Sequence, residues 1–122
     1  MTMTSPVVHW EIGARNAPEV GSFLHDLFGW EVVPAGPEYW LVPDAHGGIG
    51  GGILQVAENV PTYLTFYVQV EQLERALKLA IELGGKEVVA PMTVPGVGRF
   101  AMFEDPEGHV LGMLEPVPGQ EA

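Results

Sequence analysis

The sequence predicts an α+β fold in which two βαβββ modules form curved sheets around a central cleft, with the helices on the outer face. Three observations predict it: an internal repeat, one amphipathic segment in each copy among short β-branched runs, and sixteen glycines with eleven prolines falling between those runs. That much turn punctuation is incompatible with a helical bundle. The repeat is direct. Glu31-Val32-Val33-Pro34 returns as Glu87-Val88-Val89-Ala90-Pro91 at a shift of 56. At the same shift Val20, Phe23, Leu24 and Leu27 fall on Ala76, Leu79, Ala80 and Leu83, and Gly29 falls on Gly85. Beyond the next loop, five inserted residues raise the shift to 61 and lay residues 40–47 over 101–108. The expected organisation is one domain over 1–122, built of two repeats at about 6–57 and 62–116 with short flexible tails. Neither copy buries a hydrophobic face alone, so the two pack together.

Residues 7–12 are β-branched and aromatic and suit a strand. Asn16 then offers an N-cap oxygen with Glu19 three residues on, the spacing of a capping box, so a helix starts there. Val20, Phe23, Leu24, Leu27 and Phe28 recur at i, i+3, i+4, i+7 and i+8, and Gly29 supplies the left-handed residue that ends the helix. Strands at about 30–34, 39–42 and 51–56 complete the first copy. The second opens with a strand at about 64–70, followed by a helix over 73–83 that closes on Gly84-Gly85 and has no Ser, Thr, Asn or Asp to cap its start. Strands at about 87–90, 100–103 and 110–115 follow. Residues 91–99 have no periodicity and hold two prolines and two glycines, a candidate rim or lid.

Composition excludes several classes. With 47% hydrophobic against 17% charged residues, the chain is far from disordered composition. There is no cysteine, which removes disulfides, thiolate metal sites and a cysteine nucleophile. Five Lys and Arg against sixteen Asp and Glu give a net charge of −11, a poor match for nucleic acid or an anionic membrane. The first residues show no basic region followed by an apolar stretch, and no later run is long enough to span a bilayer, so a cytoplasmic location is expected.

Val8-His9-Trp10-Glu11-Ile12 opening the first copy, Leu27-Phe28-Gly29-Trp30 ending its helix, Glu82-Leu83-Gly84-Gly85 ending the second helix and Asp105-Pro106-Glu107-Gly108 entering the last strand form a recognisable set. On these motifs the chain resembles the vicinal oxygen chelate superfamily, the glyoxalases, bleomycin-resistance proteins and extradiol dioxygenases, over 6–116. A shared fold does not by itself imply a shared activity.

The resemblance implies a divalent metal held by one side chain from the first strand and one from the last strand of each module. The first-strand position falls on His9, and the shift of 56 carries it to Thr65. The last-strand position lies seven residues beyond Asp105, at Gly112, and the shift of 61 returns it to Gly51. A neutral hydroxyl donates weakly to a metal and glycine has no side-chain donor, so one strong ligand of four remains. No cofactor is expected; a divalent metal would need His9 in a rearranged site, with Glu11 on the same strand face. A register error of one residue would instead bring Gln55, Tyr67 or Glu115 into play.

Alternation places His9 and Glu11 toward the cleft and Val8, Trp10 and Ile12 toward the helix; Thr65, Tyr67 and Gln69 share the inward phase. His9 and Glu11 are the candidate catalytic pair, Glu11 raising the imidazole pKa to make a general base. The competing reading is a histidine retained from a metal-binding ancestor and hydrogen-bonded to a neighbour. Gly51 and Gly112 open space on the cleft floor, or else permit tight sheet curvature. Trp40, Tyr67 and Phe103, among Tyr39, Phe66 and Phe100, suit a pocket for a flat or hydrophobic molecule, though alternation keeps some of these rings in the core. Arg99 is placed to meet an anionic substrate, or forms an ordinary salt bridge. His25, His46 and His109 sit at surface or turn positions and read as solvated.

Two functional readings follow from the resemblance. One is a metal-independent protein that binds a small hydrophobic or aromatic compound in the cleft, with Trp40, Gly51, Thr65, Tyr67, Arg99, Phe103 and Gly112 as the contacts. The other is an enzyme, either a metal-dependent lyase, isomerase or dioxygenase, or a metal-free catalyst using His9 and Glu11. A small organic ligand is the expected partner, and the resemblance implies a homodimer, in some relatives with modules exchanged between chains.

Overall fold

The computed structural model describes residues 4–95 and 97–117 of the chain, which is α+β with two βαβββ modules. The tails expected to be flexible, and Gly96 of the expected lid, lie outside the described residues. Val8–Phe66 forms one compact unit, and Tyr67 onward forms the other together with the residues up to Val7.

The first module contains β1 (Val7–Ala14), α1 (Ala17–Phe28), β2 (Val33–Gly36), β3 (Tyr39–Val42) and β4 (Gly51–Gln55). Its strand order is β2-β3-β4-β1, with β4 parallel to β1 and β3 antiparallel to both its neighbours. Asn16 Oδ1 accepts the Glu19 N–H at 3.1 Å, and Gly29 closes α1 at φ 74° with its N–H on the His25 carbonyl. A second cap comes from the sheet: Gln55 Oε1 accepts the Ala17 N–H at 2.8 Å. The expected strand at 30–34 begins instead at Val33, because the chain leaving Gly29 first packs Trp30 and Val32 onto the core. The Trp30 ring sits 5.3 Å from that of Trp10 and 5.0 Å from that of Phe28. Ala14, Ala17, Val42 and Ile53 are the buried centre of this module, and Trp10, Ile12, Val20, Leu24 and Trp40 pack around them. That side of the sheet is therefore the α1 side.

The second module contains β5 (Tyr63–Gln69), α2 (Leu73–Glu82), β6 (Lys86–Val94), β7 (Gly98–Glu104) and β8 (Val110–Pro116). Its order is β5-β8-β7-β6, β8 running parallel to β5 and antiparallel to β7. Leu73, Leu77, Ala101 and Met113 form its buried centre beneath α2, with Phe103 packed against them. The residue before α2, Gln72, provides no side-chain cap. Glu115 on β8 does so instead, accepting the Leu73 N–H at 3.2 Å.

Within the expected rim or lid, residues 92–94 and 98–99 are paired strand and not a loose loop. Met92, Thr93 and Val94 pair with Phe100, Arg99 and Gly98. Pro91 is tolerated because β6 ends the strand order of its module and the register slips between Val89 and Met92. Gly98 adopts φ 141°, and a Cβ there would run into the Glu115 carbonyl, so glycine is required at this corner.

Candidate functional site

The face of the first module opposite α1 carries its polar groups. Strand alternation puts His9, Glu11 and Gly13 of β1 on that face. Glu11 pairs with Gly52, Gly52 with Leu41, and Tyr39 with Leu54, which brings these side chains to the same face. His9 Nε2 lies 2.9 Å from the Tyr39 hydroxyl, and the Tyr63 hydroxyl donates to Glu11 Oε2 at 2.5 Å. Two phenols thus hold an imidazole and a carboxylate two residues apart on one strand. Glycine makes room for both: a Cβ on Gly52 would overlap the Tyr39 hydroxyl, and one on Gly13 would overlap the Tyr63 ring.

The electrostatics correct the expected role of Glu11. Burial lowers the His9 pKa below its ordinary value of 6.5, whereas the sequence reading has Glu11 raising it. Tyr39 is pushed up to about 12, first by burial and then by the charge of Glu11, so it stays a neutral phenol. His9 is expected to titrate below 6.5 by NMR of its ring protons. The unfolded chain then binds the extra proton first, so this histidine's contribution to stability is complete above about 6.5 and declines as the pH falls through that value. A titration midpoint at or above the ordinary value would contradict the burial described here.

Several residues expected at the site lie elsewhere. Trp40 packs into the α1 core, because it pairs with Ile53 on the helix side. Gly51 pairs with Trp10 on that side too, where the indole covers it. The residue sharing a face with His9 is Gly52. The cause is register: Ile53 matches Met113 in the core and Gln55 matches Glu115 as the helix cap, so the last strands correspond at a shift of 60 and not 61. Phe103 packs toward α2. Arg99 is engaged by Glu74 of α2 and by Glu115 at 3.1 Å, the ordinary salt-bridge reading. Its hydrogen bond holds the Glu74 carboxyl down to about 2.

Thr65, Tyr67 and Gly112 do share the face of the second module opposite α2. Tyr67 pairs with Gly112, its ring fills the space a side chain there would take, and Thr65 and Tyr67 are buried. The Tyr67 and Phe100 rings meet edge to face with centroids 6.2 Å apart. Sequence reasoning missed Tyr63 and Gly52 altogether and did not pair Tyr39 with His9. The cap match between Gln55 and Glu115 was the available signal for Gly52.

The positions that the superfamily uses for a divalent ion hold His9, Thr65, Gly112 and, in the corrected register, Gly52. The His9 nitrogen lies on a tyrosine hydroxyl, Glu11 accepts from another, and rings fill the space over both glycines. Among the described residues no three His, Asp or Glu side chains gather as a metal group. This donor set does not fit a divalent ion. Among the described residues no helix is long and apolar enough to cross a membrane.

The comparisons with known proteins agree with this architecture. A glyoxalase-like domain model matches residues 9–113. CFP32, a glyoxylase-named protein of Mycobacterium tuberculosis, is 30% identical over 88 residues, 72% of this chain and 34% of that protein. The anthracycline biosynthesis protein DnrV of Streptomyces peucetius is 23% identical over 124 residues, 85% of this chain and 44% of that protein. The chain thus spans less than half the length of these two relatives. A glyoxalase/bleomycin resistance protein/dioxygenase superfamily structure from Vibrio splendidus superposes with a TM-score of 0.67 at 17% identity, covering 93% of this chain and all of that one, a likeness of fold. With a family model spanning nearly its whole length, the chain belongs to the glyoxalase-like domain family, within the vicinal oxygen chelate superfamily.

Proposed function

We propose that the protein binds a hydrophobic or aromatic organic molecule on the open face of its first module, without a resident metal, and releases it unchanged. The observation that carries this reading is the Tyr39 hydroxyl engaging His9, at a position where relatives would present a ligand to an ion, with the Tyr63 hydroxyl engaging Glu11 two residues along the strand. Polar groups fixed on a face shared with Leu41 and Leu54 orient an organic molecule whose body rests on apolar surface. The relative named for anthracycline biosynthesis supports a planar, ring-bearing ligand.

One observation favours a second reading, metal-free acid–base catalysis. Burial keeps His9 unprotonated near neutral pH, the state a general base requires. A single experiment separates the two. A planar aromatic probe, 2-naphthol, is titrated into the protein calorimetrically, and functionalised aromatic compounds that stabilise the protein in a thermal-shift screen are then recovered after prolonged incubation. Saturable binding with every compound recovered unchanged supports sequestration. Chemical change that disappears in His9→Ala supports catalysis, and absence of binding overturns the proposed site.

A further inference from the structure

The second module carries a groove of about 820 Å³ beside α2, a volume within the range of small-molecule sites, and all of its walls belong to the compact unit that contains α2. Residues 4–6 form one wall, tied down where the Pro6 carbonyl accepts the Gln69 N–H at 2.9 Å. The other wall is α2, which Leu73 and Leu77 fix to the core. Val70 and Ala76, packed against that core, and the half-exposed Leu79 give the groove its apolar surface. Arg75 and Lys78 line it from adjacent turns of α2, and among the described residues neither forms an ion pair. Glu71 and Glu82 line it too, four residues before Arg75 and four after Lys78. An exposed pair at that spacing is weak, so a ligand anion competes with it for the cations.

The internal repeat supplies a comparison. At the shift of 56, the corresponding groove of the first module, about 500 Å³, has Val20 where this one has Ala76 and Arg15 where this one has Glu71. The positions of Arg75 and Lys78 hold Glu19 and Ser22 there, and a helix forms in both copies, so the shared scaffold does not require the two cations. The chain has five Lys and Arg. Arg15 is engaged by the Glu58 and Val60 carbonyls and Arg99 by Glu74 and Glu115, so two of the remaining three stand in this one groove. We propose that the groove is a ligand site in its own right and takes an amphiphilic carboxylate, the carboxylate between Arg75 and Lys78 and an apolar chain along Val70, Ala76 and Leu79. The lining stretch of α2 and its cap, from Gln72 to Glu82, runs about 15 Å, enough for a medium-chain acyl group. The site does not depend on the reading of the first module's open face.

The test is calorimetric titration of the protein with decanoate and with decyltrimethylammonium, below their micelle-forming concentrations and at physiological salt, where repulsion by the net charge of −11 is screened within about 8 Å. Decanoate is expected to bind at least about tenfold more tightly, and to shift the amide NMR signals of α2 and of residues 69–72. Arg75→Gln with Lys78→Gln alters two exposed positions to a good helix former and should weaken decanoate by about tenfold. Should that double variant not fold, each single substitution reads the same loss at about threefold. Arg75→Lys with Lys78→Arg keeps both charges and should hold the affinity within about threefold. Absence of saturable decanoate binding, shifts confined to other elements, or full affinity in a folded Gln variant would overturn the site. Equal binding of the two probes would overturn its choice of a carboxylate.

Discussion

Truncating Ile53 to alanine is expected to lower the stability of the protein by about 2–5 kcal/mol, read as a loss in the midpoint of denaturant unfolding. Ile53 is fully buried, pairs across β4 with Ile12 on β1 and Trp40 on β3, and lies under α1. Gly21 of α1 lies over it, and a Cβ there would stand at an ordinary contact distance of 3.8 Å from Ile53 Cδ1. Removing three carbons from this packed centre adds a cavity cost to the lost transfer energy. Val88, which is 46% exposed, is the control: Val88→Ala should change stability by less than about 1 kcal/mol. A loss below about 1 kcal/mol at Ile53 would mean that the module does not pack around this residue as described.

The second large effect distinguishes two adjacent glycines. Gly52→Val is expected to reduce aromatic-ligand affinity by about tenfold or more while leaving unfolding nearly unchanged. A side chain there displaces the Tyr39 hydroxyl, the far end of a movable ring, and so removes the partner of His9 from the open face. Valine also suits a strand, which offsets part of the strain. Gly51→Ala should do the reverse. Its added carbon meets the Trp10 indole, which is confined by the α1 core and by its hydrogen bond to the Ile49 carbonyl at 3.1 Å, so stability falls and affinity changes little. Calorimetric titration together with denaturant unfolding of both variants checks the pair. Equal effects on affinity from both substitutions would contradict the assignment of the two residues to opposite faces.

That contrast also shows where sequence reasoning stopped. The span of α1 was legible because Asn16, Glu19 and Gly29 act within a few residues of the helix ends they define. The start of α2 lacked a local signal because its cap, Glu115, lies 42 residues away in sequence from Leu73. Strand existence followed from composition, but facing follows from parity, and a one-residue change in the loop before the last strand exchanges the two sides of a sheet. That single step put Gly51 in place of Gly52. Trp40 and Phe103 failed for a related reason: an aromatic ring suits either side of a strand, and only pairing with Ile53 and packing against α2 reveal which side it takes. His9 and Glu11 share the face that alternation gives them, but their tyrosine partners come from β3 and β5, at separations of 30 and 52 residues that no local pattern encodes.

On the proposed reading, the open face of the first module binds its ligand without a metal. This is tested by calorimetric titration of 2-naphthol into the protein after exhaustive chelation, repeated after saturation with Ni, Zn, Mn and Fe. The same affinity, within about twofold, is expected under every condition, with a loss of affinity in Gly52→Val throughout. Binding that vanishes on chelation and returns with one stoichiometric ion would contradict it.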